Sequence, residues 1–152
     1  ITMKTQFKSK LLLMTLLLIS AAYVTPLNAQ NDQATYKHPY IDATGHVSDG
    51  QGKKLGWVTK DGIIYNAKGE KIAYIKGPEL MDNGDKKLGR IDKNGTFYNN
   101  EGSIVFTVDP KSKGEKCQIF DPKGKVIATV HEGYKNQACA IHCLYNMKEM
   151  KP

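Results

Sequence analysis

Cysteine, tryptophan and long apolar runs are scarce in this sequence. Of 152 residues, three are cysteine, one is tryptophan and six are proline. No C-x-x-C pair occurs, so the ordinary spacing of a zinc site is missing. Three cysteines in an exported chain leave at least one thiol without an internal partner. No G-x-S-x-G occurs, and after the leader only Ser48, Ser103 and Ser112 remain, each in or beside a turn. The acidic stretch MDNGD, Met81 to Asp85, lacks the longer run ending in Glu that a calcium loop needs. The net charge is +7, but the lysines are scattered among Asp, Glu and Asn. That pattern makes a solvated surface and excludes a nucleic-acid footprint, which needs clustered bases.

One apolar run stands out, Leu11 to Ala22. It is shorter than the roughly 20 residues that cross a bilayer. Lys4, Lys8 and Lys10 precede it, and Pro26 and the small Ala29 follow. Residues 1–29 therefore read as a signal peptide, with Met3 the expected start and cleavage after Ala29. An uncleaved anchor is the alternative, and no cysteine near the cleavage point offers a lipid anchor. The mature chain would be a single domain, 30–152, with no membrane span, periplasmic or secreted. Setting aside the three leader lysines lowers the charge from +7 to +4.

What the sequence has in plenty is one short pattern: Asp, Asn or Thr, two residues, then Gly. It occurs at Asp42–Gly45, Asp49–Gly52, Thr59–Gly62, Asn66–Gly69, Asp92–Gly95, Asn99–Gly102 and Asp121–Gly124. An Asx side chain can accept the backbone amide two residues on, and glycine supplies the left-handed closure of a hairpin. β-Formers such as Ile63-Ile64-Tyr65 and Thr96-Phe97-Tyr98 follow. Three turn pairs lie seven residues apart, leaving about three residues of strand between turns, a tight meander. KLGWVTKDGIIYN and KLGRIDKNGTFYN match at an offset of 33 residues, Lys54 against Lys87. With Glu115–Val130 and a shortened Tyr40–Lys54, four clear or partial units are expected. GPELMDNGDKK and DPKSKGEK read as polar connectors.

The C-terminal segment GYKNQACAIHCLYNMKEMKP abandons the pattern. Asn136 can cap a helix at about 137–148, apolar nearly all round and so buried. Such a helix would plug the ring; a final buried strand is the rival reading. The fold expected is mainly β: a pseudo-symmetric repeat of short antiparallel hairpins with one C-terminal helix packed in or against the ring.

The units GWVTKDGIIYNAKGEKI and GRIDKNGTFYNNEGSIV, the leader ending LNAQ and the closing NQACAIHCL together resemble the exported five-fold beta-flower proteins of Bacteroidetes. Gly56-Trp57 also resembles the opening of a WG repeat. The resemblance implies petals of hairpins around an axis, and export. It implies no activity.

Chemistry is thinly represented. Cys139 and Cys143 share a helix face, a poor disulfide geometry. Cys117 could pair with either, or all three could be buried thiols acting as small apolar groups. His142 points away from the cysteine face, so no metal and no cofactor are expected. His38, His46 and His131 are isolated. Trp57, Tyr65, Tyr74, Phe97, Tyr98 and Phe106 lie on expected strands, where alternate rings should fill the core. Trp57 and Tyr98 are the rings expected to face solvent, where they could meet a sugar or a protein. Three readings follow: an exported non-catalytic binding module for an unknown protein or glycan, a small hydrolase of glycans or peptides, or a structural envelope protein. A concave pocket holding two or more carboxylates, or a Cys–His pair in contact, would count against the binding module and for the hydrolase; flat or helix-plugged surfaces alone would remove the hydrolase.

Overall fold

The computed structural model describes residues 37–112 and 114–146, which belong to one compact unit, Gln33–Pro152. The expected signal peptide lies outside the described residues. Eleven short strands follow one another: β1 (Tyr40–Ile41), β2 (His46–Ser48), β3 (Lys54–Val58), β4 (Ile63–Asn66), β5 (Lys71–Lys76), β6 (Glu79–Asp82), β7 (Lys87–Ile91), β8 (Thr96–Asn99), β9 (Ile104–Val108), β10 (Lys116–Phe120) and β11 (Val126–His131). A 3₁₀ segment (Glu132–Gln137) and one α-helix, α1 (Ala140–Asn146), follow among the described residues. The helix begins three residues later than the capping pattern suggested, because the 3₁₀ segment takes up Gln137. The expected extension to residue 148 lies outside the described residues.

Each strand pairs antiparallel with the next, and β1 closes the barrel against β11. Eleven is odd, so strict alternation brings β1 and β11 together in the same direction. That seam is the barrel's parallel pair, Tyr40 opposite Thr129 and Ile41 opposite Val130. Turns alternate between the two ends. The entry end, which the 3₁₀ segment crosses, carries the turns 42–45, 59–62, 77–78 and 92–95 and the longer connection 109–115. The far end carries 49–52, 66–69, 82–85, 99–102 and 121–124. Five connections at each end make a five-fold ring.

The far-end turns open at Asp49, Asn66, Asp82, Asn99 and Asp121. Their spacings are 17 residues (49 to 66), 16 (66 to 82), 17 (82 to 99) and 22 (99 to 121). The offset of 33 seen in the sequence is two repeats. The unit that the four-unit reading lacked is GPELMDNGDKK, which is no connector: it supplies the Gly77-Pro78 turn, β6 and the turn 82–85. Asp82 Oδ1 accepts the Gly84 and Lys86 amides at 2.8 and 2.9 Å, as the other Asx side chains do. Here Asp85, φ +63, takes the left-handed place that glycine holds elsewhere.

Asn99 shows how the turns work. Its Oδ1 accepts the Glu101 and Ser103 amides at 3.0 and 2.9 Å, and its carbonyl accepts the Gly102 amide at 3.0 Å. Gly102 closes the turn at φ +85. The seven glycines of the repeated pattern all lie between +81 and +88. Beside each far-end turn the ladder slips by one residue, after Val47, Ile64, Leu80, Phe97 and Ile119. Such bulges sharpen the twist and help a sheet curl into a barrel. The five residues just before them point inward and are 0–1% exposed, one large apolar side chain per repeat.

An eight-stranded barrel can be filled by its own side chains, but a wider one has a lumen. Here α1 fills it. Ala138, Cys139, Ala140, Ile141, Cys143 and Leu144 join the core with the inward strand residues. Space is made at one inward position per repeat, occupied by Gly56, Ala73, Gly89, Phe106 and Ala128. Four of the five are small. A β-carbon on Gly56 would stand 2.9 Å from Leu144 Cδ2. The 3₁₀ segment holds the helix at the entry end: Lys60 Nζ donates to the Gly133 carbonyl and lies 3.6 Å from the Tyr134 ring centre, and Gln137 Nε2 donates to the Lys60 carbonyl at 3.0 Å.

Candidate functional site

The last repeat is the irregular one. The connection 109–115 lengthens it, and the register shifts accordingly. β9 meets β10 at only two pairs, Ile119 opposite Val108 and Phe120 opposite Thr107. Phe120 therefore stands level with Thr107, and the first half of β9, Ile104 to Phe106, has no ladder partner on β10. The β1–β11 seam is also two pairs long. These two short ladders flank β10 and β11, whose far-end residues face α1.

A cleft of about 220 Å³ lies there. Pro39, Val105, Phe106, Ile119, Ile127 and Ala128 line the strand side, and Ile141, His142 and Tyr145 the helix side. His142 lies against Phe97, ring centres 5.1 Å apart, and Phe97 stacks on Phe106 at 5.1 Å. Burial holds the His142 imidazole below its ordinary pKa of 6.5, so it is neutral at pH 7. No lining residue then carries a full charge. Tyr145 is 36% exposed at the mouth.

A second, more open cleft of about 370 Å³ lies at the entry end, lined by Lys60, Asp61, Asp92, Lys93, Asn136 and Gln137 among others. Two carboxylates do share this cleft. Asp92 Oδ1 accepts the Asn94 and Thr96 amides, both at 2.9 Å, and its Oδ2 faces the Tyr98 hydroxyl at 3.4 Å. A hydrogen bond from the Thr59 side chain holds Asp61 below the usual carboxylate range. A general acid needs its pKa raised instead.

The cysteines are free and buried. Cys117 Sγ donates to Glu132 Oε2 at 2.9 Å and pairs with neither Cys143 on α1 nor Cys139, which the structure places just before the helix rather than on it. Burial pushes the Cys139 thiol far up and the Cys143 thiol up to about 12, both remote from thiolate chemistry. Among the described residues no three His, Cys, Asp or Glu side chains gather to hold a metal. His46 Nδ1 lies 2.8 Å from Thr44 Oγ1, and His131 Nδ1 accepts the Gly133 amide at 3.1 Å. Both are turn and cap residues.

The aromatic rings divide as the pleat dictates. Phe97 and Phe106 point inward, while Trp57, Tyr65, Tyr74 and Tyr98 lie on the outer face, each partly covered. Trp57 stacks on Tyr65 at 5.1 Å, and Arg90 lies over the Tyr98 ring at 4.2 Å. Asp42, Asp49, Asp121, Asn66 and Asn99 give their side-chain oxygens to turn amides. Sequence reasoning placed His142 only as a failed metal ligand and Phe106 only as a strand ring. The single signal of the far-end cleft in the sequence is the 22-residue spacing to Asp121.

A family model described as 5-fold beta-flower protein matches residues 29–146. The chain belongs to this family. The closed barrel with five connections at each end agrees with that description. No curated protein and no solved structure matches the chain. Among the described residues of this beta-flower protein, no helix is long and apolar enough to cross a membrane.

Proposed function

We propose that this beta-flower protein is an exported, non-catalytic binding module, working in the periplasm or outside the cell. The lysine-flanked apolar leader supports export. A Bacteroidetes origin and a kinship with WG repeats rest on the resemblance of the hairpin units. The observation that carries the binding reading is how the fold uses its reactive groups. The Asx carboxylates and amides hold turn amides, and the Cys139 and Cys143 thiols are buried and pushed up in pKa. Meanwhile the barrel keeps a concave cleft at its mouth. That cleft is lined mostly by apolar side chains, which suits recognition of a ligand. A protein or glycan partner could also meet the outer rings Trp57 and Tyr98.

The second reading, a hydrolase, has the very observation that the sequence set against a binding module: Asp61 and Asp92 line one cleft. Glycoside hydrolysis needs one of two carboxyls protonated at working pH, and Asp61 is shifted the wrong way for that. The two readings separate in one experiment. The mature chain is screened on a glycan array and a small-molecule panel, and assayed against glycoside and peptide substrates. Binding without turnover is expected. Turnover lost in both Asp61→Asn and Asp92→Asn would overturn the binding reading.

A further inference from the structure

We propose that the far-end cleft binds a small uncharged ligand built on one aromatic ring with a single hydroxyl. The inference rests on the binding reading and gives that reading a ligand class and a place.

Size comes first. A cavity of about 150 Å³ lined by apolar side chains takes up benzene, and drug-sized ligands need about 300 Å³ or more. At about 220 Å³ the far-end cleft accommodates one ring with a short substituent. Charge comes second. Seven of the nine lining residues are apolar, and the other two are His142 and Tyr145. The imidazole stays neutral at pH 7. A carboxylate or ammonium entering here would lose its hydration and meet no opposite charge. Shape comes third. Phe106, His142 and Tyr145 present aromatic walls, which favour a ring in offset or edge-on contact. Phe106 is also the one bulky residue at an inward position where the other repeats carry glycine or alanine, so the ring wall belongs to the irregular repeat alone. Tyr145, on α1 at the exposed mouth, is the lining residue with a hydroxyl, which orients a ligand with its own hydroxyl towards the helix and its apolar body against β9 and β11.

The test uses the full mature chain and 4-methylphenol as the probe. Binding is followed by amide chemical shifts, which report folding at the same time. The expected result is saturable shifts at cleft residues, and binding by the charged 4-methylbenzoate weaker by about tenfold or more. Ala128→Leu should fill the cleft and weaken 4-methylphenol by a similar factor. Tyr145→Ala, at the half-open mouth, is the second variant and should weaken it severalfold while leaving the fold intact. Three results would overturn the proposal: no saturable shift in folded protein, equal binding of the charged analogue, or binding unchanged in both variants. Cross-peaks placing residues 147–152 in the ligand-free cleft would assign it to the chain's own tail and overturn it too. A glycan hit elsewhere on the barrel alongside such a failure leaves the binding reading standing; failure of every probe removes both.

Discussion

The carbonyl of Gly45 accepts the Val58 amide at 2.8 Å, and a β-carbon on Gly45 would stand 2.2 Å from the Val58 carbonyl oxygen. The same link recurs around the entry end, Gly62 to Ile75, Pro78 to Ile91 and Gly95 to Val108. Each entry-end turn is therefore locked onto the next repeat. The far-end glycines differ: Gly52, Gly102 and Gly124 have nothing within 4 Å of an added β-carbon. One motif, repeated in sequence, thus does two jobs, joining repeats at one end and only reversing the chain at the other.

Alanine at these positions should separate the two jobs. Gly102→Ala suffers left-handed strain alone, about 1–2 kcal/mol. Gly45→Ala adds a clash with backbone and with the Tyr134 ring, about 1–3 kcal/mol more. Urea unfolding of the two variants checks this. Equal losses would mean that the entry-end turns are not locked.

The thiols give a second prediction. Cys117, Cys139 and Cys143 are all free and buried, and burial, the chief cause, raises each pKa above the ordinary thiol value. In native protein at pH 8, Ellman's reagent should label none of them within the time that labels a denatured sample fully. The expected count is zero thiols native and three denatured. Rapid native labelling of Cys139 and Cys143 would mean that α1 and the residues leading into it leave the lumen readily.

Lys60 and Tyr134 join the first repeat to the 3₁₀ segment. The ammonium lies over the ring and also donates to the Gly133 carbonyl. A cation over an aromatic face contributes about 0.5–1 kcal/mol when exposed and about 2 when desolvated. Tyr134 is only 5% exposed, so a double-mutant cycle with Lys60→Met and Tyr134→Leu should return a coupling of about 1 kcal/mol. A coupling near zero would show that the contact holds nothing.

These pairs also mark what the sequence could and could not tell. The Asn99–Gly102 turn was legible because its chemistry is local: one side chain, two amides and one glycine within five residues. The turn at Asp82 was not, because Gly84 comes one place early and Asp85 accepts the left-handed conformation. That single displacement hid a whole repeat and doubled the apparent period to 33. The plug was legible in kind, since a helix apolar all round must be buried. The far-end cleft was not legible. It depends on how many rungs β9 and β10 share, and register between strands is fixed by closure of the whole ring.

His142 supplies the last prediction. Burial depresses its pKa in the folded protein below 6.5. Between the folded value and 6.5 the unfolded chain therefore binds more protons than the folded one, and stability falls with falling pH. The contribution is fully present above 6.5 and is lost as pH drops through that window. The slope from this one group is at most about 1.4 kcal/mol per pH unit. Carboxylates act lower. Burial alone would raise Asp42, but hydrogen bonds from Thr44 and His46 outweigh it and leave its pKa lowered. Lys87 lowers Glu79, and the Cys117 thiol lowers Glu132. Their contributions are lost only as pH falls below about 4.5. Urea unfolding at pH 7 and pH 5.5 should show wild type losing stability that a His142→Phe variant keeps. Parallel pH profiles for the two proteins would mean that the imidazole is solvated, and the uncharged lining of the far-end cleft would then no longer hold below neutral pH.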